Sequence, residues 1–315
     1  MRDAAFLVGG LVLLTYAADR FVLGATRLSS ALHVPAVLIG AVVIGFGTSA
    51  PEMVVSALAT AEGAQDIAFG NIVGSNIANM LLVLGAAAVV RPVRVRRGVL
   101  RRELPLAAAA MGLLAVVTVD RLVTTLDGLL LAAAAVLALG FMTRAGVRDR
   151  QAAFELEAEV GELEGGRQPK AGPAALLALA GLVGTLAGAQ LLVSGAVGVA
   201  RAIGVSEAFI GLTVVAVGTS LPELVTAVAA ARRGEPDLIV GNVLGSNVFN
   251  SLPVAAIAGL LGSQELDPAF GLSLAVMVVA AVAITGLSLR SGNRLSRLEG
   301  VALLAGYVVV TVLLY

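Results

Sequence analysis

The chain has 315 residues, of which 58% are hydrophobic and only 13% are charged, and its mean hydropathy is +0.98. Soluble domains are about one-quarter charged residues, so this composition excludes an ordinary soluble protein. The lack of cysteine excludes disulfides, thiolate metal sites and thiol catalysis. The net charge of zero says nothing about binding partners.

Apolar runs long enough to cross a lipid bilayer recur along the whole sequence. They predict an all-α integral membrane protein with ten transmembrane helices. In chain order the predicted spans are residues 4–24, 35–61, 67–90, 104–119, 124–143, 173–199, 206–231, 237–261, 269–289 and 298–315. Ten spans of about 20 residues use most of the chain, so we expect no separate soluble domain.

Basic residues predict the orientation of these spans, because cytoplasmic loops carry an excess of Lys and Arg. If the N-terminus lies outside, the inside loops and adjoining helix ends hold 18 of the 21 basic residues. The opposite orientation would invert this bias. We therefore expect a multi-pass protein of the plasma (inner) membrane with both termini outside.

A pair of motifs divides the chain into two copies. The stretch GFGTSAPE begins at Gly45, and AVGTSLPE begins at Ala216, 171 residues later. The same offset relates GNIVGSNIAN to GNVLGSNVFN. Five spans per copy is an odd number, so the second copy enters the membrane from the opposite side. The sequence therefore predicts two inverted five-helix repeats, residues 1–144 and 173–315, a transporter architecture in which helices 2 and 7 are interrupted.

An acidic, low-complexity linker, residues 145–172, separates the predicted repeats on the cytoplasmic side. It carries Glu155, Glu157, Glu159, Glu162 and Glu164. A solvated connector is the favoured interpretation. A regulatory calcium site remains the alternative, although the glycine turn that calcium loops use is missing.

The proline in each motif weakens the helix in which it lies. Pro51 has no backbone N–H, so the Gly47 carbonyl loses its helical partner, and Pro222 has the same effect on Gly218. Carbonyls freed inside a membrane must line a polar cavity or contact an ion. An acidic residue follows each proline directly, and ionisable residues inside membranes indicate functional sites.

These motifs bring together a set of hard oxygen ligands, which suit Na⁺ and Ca²⁺ better than soft metals. A lone Ser or Asn in a membrane helix usually serves packing, but here the whole set recurs at one offset. We interpret the other four asparagines, Asn71, Asn76, Asn242 and Asn247, as interhelical hydrogen-bonding groups. The candidate ligands are Glu52, Glu223, Thr48, Thr219, Ser49, Ser220, Ser75, Ser246, Asn79, Asn250 and the carbonyls of Gly45 and Ala216.

At these motifs the sequence resembles the sodium/calcium exchanger family, within the cation/calcium antiporter superfamily. The resemblance covers the whole chain and implies that one Ca²⁺ is exchanged for about three Na⁺ by alternating access. It implies a calcium site made by Glu52, Glu223 and the backbone oxygens of Thr48 and Thr219. The flanking sodium sites would use Ser49, Ser75, Ser220, Ser246 and the carbonyls of Gly45 and Ala216.

The chain departs from some relatives at Asn250, where potassium-dependent and archaeal-type members carry Asp. This neutral amide makes potassium dependence less expected. A proton/calcium antiporter is the first alternative, although that branch usually has Gly-Asn where this chain has Thr-Ser. A passive cation channel is the second alternative.

Other partners and activities find no support in the sequence. An intramembrane hydrolase would need a nucleophile with a base, and the single histidine, His33, has no counterpart in the second copy. We therefore expect no enzyme activity and no cofactor, since Ca²⁺ and Na⁺ are transported ions. The expected environment is the lipid bilayer, and no nucleic acid or obligate protein partner is indicated.

Overall fold

The computed structural model describes residues 2–148, 169–203, 216–262, 264–268, 270–290 and 293–314, and the elements in these ranges are almost entirely helical. The first half contains α1 (Arg2–Leu32), α2 (Ala36–Ile39), the π-helix π1 (Gly40–Gly45), α3 (Phe46–Thr48), α4 (Ala50–Ala61), α5 (Gln65–Ala78), π2 (Asn79–Val83), α6 (Leu84–Val90), β1 (Val93–Arg94), α7 (Arg97–Arg101), α8 (Glu103–Val117), β2 (Leu122–Val123) and α9 (Thr125–Arg148). The second half contains α10 (Ala171–Ala202), α11 (Ala216–Thr219), α12 (Leu221–Arg233), α13 (Pro236–Phe249), π3 (Asn250–Val254), α14 (Ala255–Leu261), β3 (Gln264–Glu265), α15 (Phe270–Arg290), β4 (Arg294–Leu295) and α16 (Arg297–Leu314).

Within the described ranges, six helical segments are long and apolar enough to cross a membrane. They are Arg2–Leu32, Gln65–Val90, Thr125–Arg144, Ala171–Ala202, Pro236–Leu261 and Arg297–Leu314. A seventh span results if Ala36–Thr48 and Ala50–Ala61, which meet at an angle of 43°, count as one. The prediction of an all-helical, multi-pass membrane protein is confirmed.

The predicted boundaries differ most from the structure at α1 and at the linker. The first helix was expected to end at residue 24 but continues to Leu32, and His33 follows it with a φ of 56°. Of the predicted linker, residues 145–148 belong to α9 and 171–172 to α10, while 149–168 lie outside the described residues. The predicted seventh span likewise begins outside them, since 204–215 are not described.

Helices α1 and α10 form a close antiparallel pair through glycines. A Cβ added at Gly10 would lie 2.5 Å from the Leu192 nitrogen, and one at Gly24 would lie 2.4 Å from the Ala178 nitrogen. Because lipid tails are as apolar as the side chains, such close backbone packing is what holds membrane helices together. Any larger residue at these positions would force the two helices apart.

Two helical segments form the buried centre of the molecule. The most apolar 18-residue stretch is 78% buried inside the protein in Gln65–Val90 and 83% buried in Pro236–Leu261. In the other four candidate spans this share is 33% or less. The motifs that begin at Gly70 and Gly241 therefore lie in the core. Each of these central segments continues through a π-helix, π2 or π3, directly after its motif.

Two short antiparallel ladders close the ends of the bundle. Strand β1 pairs with β4, and β2 pairs with β3. Helix α8 leads from the first ladder towards the second, and α15 leads from the second back to the first. The two ladders therefore lie at opposite ends of these helices, and each one joins the two halves of the chain.

Candidate functional site

Both proline motifs interrupt a helix at a serine. Ser49 separates α3 from α4 with φ −81° and ψ 3°, and Ser220 separates α11 from α12 with φ −88° and ψ 4°. Each new helix then starts one residue before its proline, where the missing N–H costs nothing. The interruption places Glu52 and Glu223 in the first turn of α4 and α12. There the positive end of the helix dipole stabilises a carboxylate.

The two glutamates are buried and lie in one site. Glu52 is 1% exposed and Glu223 is 2% exposed. The Ser49 hydroxyl donates a hydrogen bond of 3.3 Å to Oε1 of Glu223, so the break in the first half touches the acid of the second. Both carboxylate oxygens of Glu52, and Oε2 of Glu223, have no hydrogen-bond partner among the described residues. Buried polar atoms are nearly always satisfied, so three such oxygens indicate a site for a cation.

The glycines of the second copy bring its central helix against the first. A Cβ at Gly241 would lie 2.3 Å from the Val37 carbonyl oxygen, and one at Gly245 would lie 2.5 Å from the Ala41 Cα. A Cβ added at the equivalent Gly70 or Gly74 would meet no described atom within 4 Å, and the segment before α11 lies outside the described residues.

The hydroxyls of the first copy contact backbone and side-chain oxygens around the break. Thr48 is fully buried and donates its hydroxyl hydrogen to the Ile44 carbonyl at 2.9 Å, while Oδ1 of Asn242 lies 3.4 Å from the same hydroxyl oxygen. Ser246 of α13 donates to the Gly45 carbonyl at 3.2 Å. Thus two predicted sodium ligands, the Gly45 carbonyl and the Ser246 hydroxyl, are adjacent.

The remaining predicted oxygens are placed less completely. Ser75 and Ser220 are buried, and Thr219 is half-buried beside the second break. Ala216 is the first residue of α11, and the position of its side chain is not described. Ser220 and Thr219 therefore lie at the same helix break as Glu223, just before it in the sequence. The role of Ala216 stays a prediction.

The two asparagines begin the π-helices of the central segments. Asn79 starts π2 and Asn250 starts π3, and each is 1% exposed. Single π-turns inside helices are rare and occur frequently at functional sites. Nδ2 of Asn79 donates to Oδ1 of Asn247 at 3.2 Å, which leaves Oδ1 of Asn79 unbonded. Neither amide atom of Asn250 has a partner among the described residues.

The other asparagines join helices, as the sequence predicted. Asn71 donates to Ser56 at 3.1 Å, and Asn76 donates to Ser251 at 2.8 Å. Asn242 donates to Thr226 at 3.4 Å. Ser56, Thr226 and Ser251 were not singled out from the sequence, because each lies outside the stretches that recur as identical residues in both copies.

In the part of the chain that the structure describes, two carboxylates supply the charge of the candidate site. Among the described residues no group of three or more His, Cys, Asp or Glu side chains could hold a metal ion. Every other candidate ligand is a neutral hydroxyl, amide or carbonyl oxygen. Such a set suits weakly held, hard cations that must bind and leave, rather than a permanently bound transition metal.

Comparison with known proteins agrees with this fold. The sequence model of the sodium/calcium exchanger protein family matches residues 3–144 and 173–315. The chain is 38% identical over 317 residues to the inner membrane protein YrbG of Escherichia coli, which covers 99% of this chain and 96% of that one. It is 29% identical over 345 residues to the sodium/calcium exchanger MaX1 of Methanosarcina acetivorans, covering 98% and 97%.

A solved structure matches over nearly the whole length. The sodium/calcium exchanger from Methanococcus jannaschii is similar to this protein with a TM-score of 0.85 and 30% sequence identity, covering 99% of this chain and 98% of that chain. The family match excludes the linker that separates the two halves and includes both motifs. The chain therefore belongs to the sodium/calcium exchanger protein family.

Proposed function

We propose that this protein is a sodium/calcium antiporter, which moves Ca²⁺ against a Na⁺ gradient by alternating access. The observation that carries the proposal is the pair Glu52 and Glu223, buried in one site with three carboxylate oxygens that have no hydrogen-bond partner among the described residues. One Ca²⁺ balances the charge of two carboxylates. Solved structures of the similar sodium/calcium exchanger NCX_Mj include forms soaked with Na⁺ and Ca²⁺ and with Na⁺ and Sr²⁺. These soaks support Na⁺ and Ca²⁺ as the substrates here.

In the proposed site, Ca²⁺ binds to both glutamates and to the backbone oxygens of Thr48 and Thr219. Na⁺ ions bind at flanking positions when Ca²⁺ has left, with about three exchanged for each Ca²⁺. The contact between Ser246 and the Gly45 carbonyl supports a sodium site at that position, since two hard oxygens already converge there. The other proposed sodium ligands are Ser49, Ser75, Ser220, the Ala216 carbonyl and the amide oxygens of Asn79 and Asn250.

We further propose that the two halves, residues 1–144 and 173–315, are inverted five-helix repeats, with ten spans in total and helices 2 and 7 interrupted. Equivalent features at the same offset support this: π2 and π3 are 171 residues apart, as are β1 and β3. If the first half is superposed on the second, β1 corresponds to β3 and β4 corresponds to β2. The ladder of β1 with β4 then corresponds to the ladder of β3 with β2, which lies at the opposite end of the bundle. An inverted repeat requires such an exchange.

The charge difference between the two ends supports an orientation. Arginines surround the ladder of β1 and β4, whereas Asp120, Glu265 and Asp267 lie around the ladder of β2 and β3. We infer that the arginine-rich end faces the cytoplasm, which places both termini and the acidic end outside. The similarity to an E. coli inner membrane protein favours the plasma (inner) membrane.

Calcium uptake into proteoliposomes tests the proposed function. Vesicles containing the purified protein are loaded with Na⁺, with K⁺ or with an acidic buffer and then diluted into ⁴⁵Ca²⁺. We expect uptake above protein-free vesicles only with internal Na⁺. Uptake driven by internal acid would support a proton/calcium antiporter instead, and equal uptake under every load would indicate a channel.

A further inference from the structure

The ladder of β1 and β4 places two arginines face to face. In its register Arg94 is directly opposite Arg294, and both side chains are exposed. Like charges directly opposite each other in an antiparallel pair destabilise it. The neighbouring pair, Val93 and Leu295, is buried at 0% and 1% exposure, so the register is fixed by the apolar face and not by the arginines.

Further arginines surround this pair, and several of them have no acidic partner among the described residues. Arg96 is paired with Asp237 at 2.9 Å. Among the described residues, Arg94, Arg97, Arg101 and Arg294 have no carboxylate within ion-pair distance. The exposed arginines at this end are Arg91, Arg94, Arg96, Arg97, Arg101, Arg294 and Arg297. This excess of positive charge has the donor geometry that binds phosphate, because guanidinium groups can contact it through two parallel N–H bonds.

The fold itself does not require this charge. The equivalent ladder at the other end pairs Leu122 with Glu265 and has the same architecture. A general excess of arginine is enough to set membrane orientation. Orientation, however, gives no reason to place two of the arginines directly opposite each other on a two-residue ladder.

A small apolar cavity of about 20 Å³, which has room for about one water molecule, lies behind the ladder. Its lining includes Leu84, Val95, Leu104, Val243, Ile284 and Leu295. Val95 and Leu295 are neighbours in sequence of Arg94 and Arg294, so one short segment from each half presents a cation outwards and an apolar side chain inwards. The cavity cannot hold an acyl chain, so a lipid bound at this end would place its anionic headgroup against the arginines and its tails in the bilayer.

The position of the ladder in the membrane agrees with such a ligand. Helices α6 and α15 end just before the two strands, while α7 and α16 start just after them. The ends of membrane helices lie at the level of the lipid headgroups, where basic pockets between helices bind anionic lipids. The arginines are therefore at the depth of lipid phosphates.

We propose that the ladder of β1 and β4 binds the headgroup of an anionic phospholipid of the leaflet in which it lies. The phosphate lies between Arg94 and Arg294, and Arg97 and Arg101 add to the positive field. The bound headgroup removes the repulsion between the two arginines and so holds the two halves of the chain together at this end. The proposal depends on the membrane location and not on which ions are transported.

Lipid titration of the purified protein in neutral detergent tests the proposal. Native mass spectrometry measures binding of phosphatidylglycerol and of phosphatidylcholine to the native protein and to Arg94→Gln/Arg294→Gln. We expect phosphatidylglycerol to bind at least tenfold more tightly than phosphatidylcholine to the native protein, and the double substitution to remove this preference. The matched control is Arg27→Gln/Arg144→Gln, which removes two exposed charges near the ends of α1 and α9 and keeps the preference.

Thermal unfolding separates a lipid site from a structural role of the arginines. Without added lipid, the double variant should have a Tm equal to or higher than that of the native protein, because a repulsion is removed. A lower Tm, or an unchanged preference for phosphatidylglycerol in the double variant, would overturn the proposal. In a further variant the five glutamates at 155–164 are changed to glutamine. If this change removed any difference in Tm between the native protein and the double arginine variant, the linker would be the partner of the two arginines, which would also overturn the proposal.

Discussion

The hydroxyl of Ser49 donates a hydrogen bond to the carboxylate of Glu223, at 3.3 Å between Oγ and Oε1. The serine lies at the helix break of the first half, and the glutamate follows the break of the second. The proposed cation site is therefore formed by both halves of the chain at once. A change in either motif should consequently affect ion binding by the whole site, and not by one half of it.

Replacing either acid, as Glu52→Gln or Glu223→Gln, should abolish calcium transport while the protein still folds. Ca²⁺ binds several oxygens, including charged ones, and each substitution leaves it facing a single carboxylate. Removing a buried charge should not lower the stability without calcium. The measurements are ⁴⁵Ca²⁺ uptake and the rise in Tm on adding Ca²⁺, which reports binding to the folded state.

The control for these variants is Glu62→Gln, because Glu62 follows the same helix α4 but is exposed. It should keep native uptake and the native rise in Tm. Near-normal uptake by either Glu52→Gln or Glu223→Gln would show that the paired-carboxylate site is wrong.

Exchange should be electrogenic. With both glutamates ionised, one Ca²⁺ gives a neutral complex, whereas three Na⁺ leave one positive charge in excess. Moving a charge across the membrane changes the free energy by about 2.3 kcal/mol per 100 mV. A potassium–valinomycin potential, negative inside the vesicle, should therefore change sodium-driven uptake. An exchange rate and an equilibrium that ignore this potential would argue for two Na⁺ or two H⁺ per Ca²⁺.

Sodium-driven uptake should need no potassium, since Asn250 adds no charge to the site. Asn250→Asp should keep calcium binding but make uptake more dependent on pH, because it adds a third ionisable group. Uptake is measured with and without potassium over a range of about pH 6 to 9. This range covers the competition between protons and the transported cations near neutrality. Asn293→Asp is the control, because it makes the same change in the connection before β4. Strict potassium dependence of the native protein would refute this interpretation, and identical pH profiles would place Asn250 outside the ion cavity.

Asn247 should set the orientation of Asn79. Because Oδ1 of Asn247 accepts the Asn79 amide N–H, the Asn79 oxygen is left for a cation. Asn247→Ala removes this bond, worth about 1 kcal/mol, so the half-saturating Na⁺ concentration should rise about fivefold. Asn76→Ala is the control, since it removes an interhelical bond to Ser251 and should leave the sodium dependence unchanged. Equal effects of both variants would show that Asn247 acts through packing.

The close packing of α1 on α10 gives a stability prediction with a neighbouring control. Gly10→Ala places a methyl group 2.5 Å from the Leu192 backbone and should destabilise the protein by about 1–3 kcal/mol. Gly9→Ala meets nothing within 4 Å and should be neutral or stabilising, because alanine favours the helix by up to about 1 kcal/mol. Thermal unfolding in detergent measures both. Similar Tm values for the two variants would contradict this helix contact.

The sequence could predict the helical membrane fold because apolar runs and a repeated motif are local signals. It also located the two glutamates, since an acid after a proline inside an apolar run has few structural explanations. The continuation of α1 to Leu32 was missed because Arg27, Ser29 and Ser30 lower the hydropathy of its last turns. Asp19, which lies inside the predicted span, pairs with Arg233 of α12 at 2.7 Å.

Other features depend on contacts between distant parts of the chain. The strands are two residues long, so they have no detectable period, and their pairing joins opposite halves. The π-helices begin at Asn79 and Asn250, but nothing in local propensity favours an extra residue in those turns. The hydrogen bond from Asn79 to Asn247 likewise requires two helices to be packed first.

Coupled fluxes in one set of vesicles test the central claim most directly. Proteoliposomes loaded with ²²Na⁺ are diluted into medium with or without ⁴⁵Ca²⁺, and both tracers are followed at the same time. The account predicts that Na⁺ leaves only when Ca²⁺ enters, in a fixed ratio, and that Glu52→Gln abolishes both fluxes. Calcium entry that continues at the same rate without a sodium gradient would contradict the antiport mechanism.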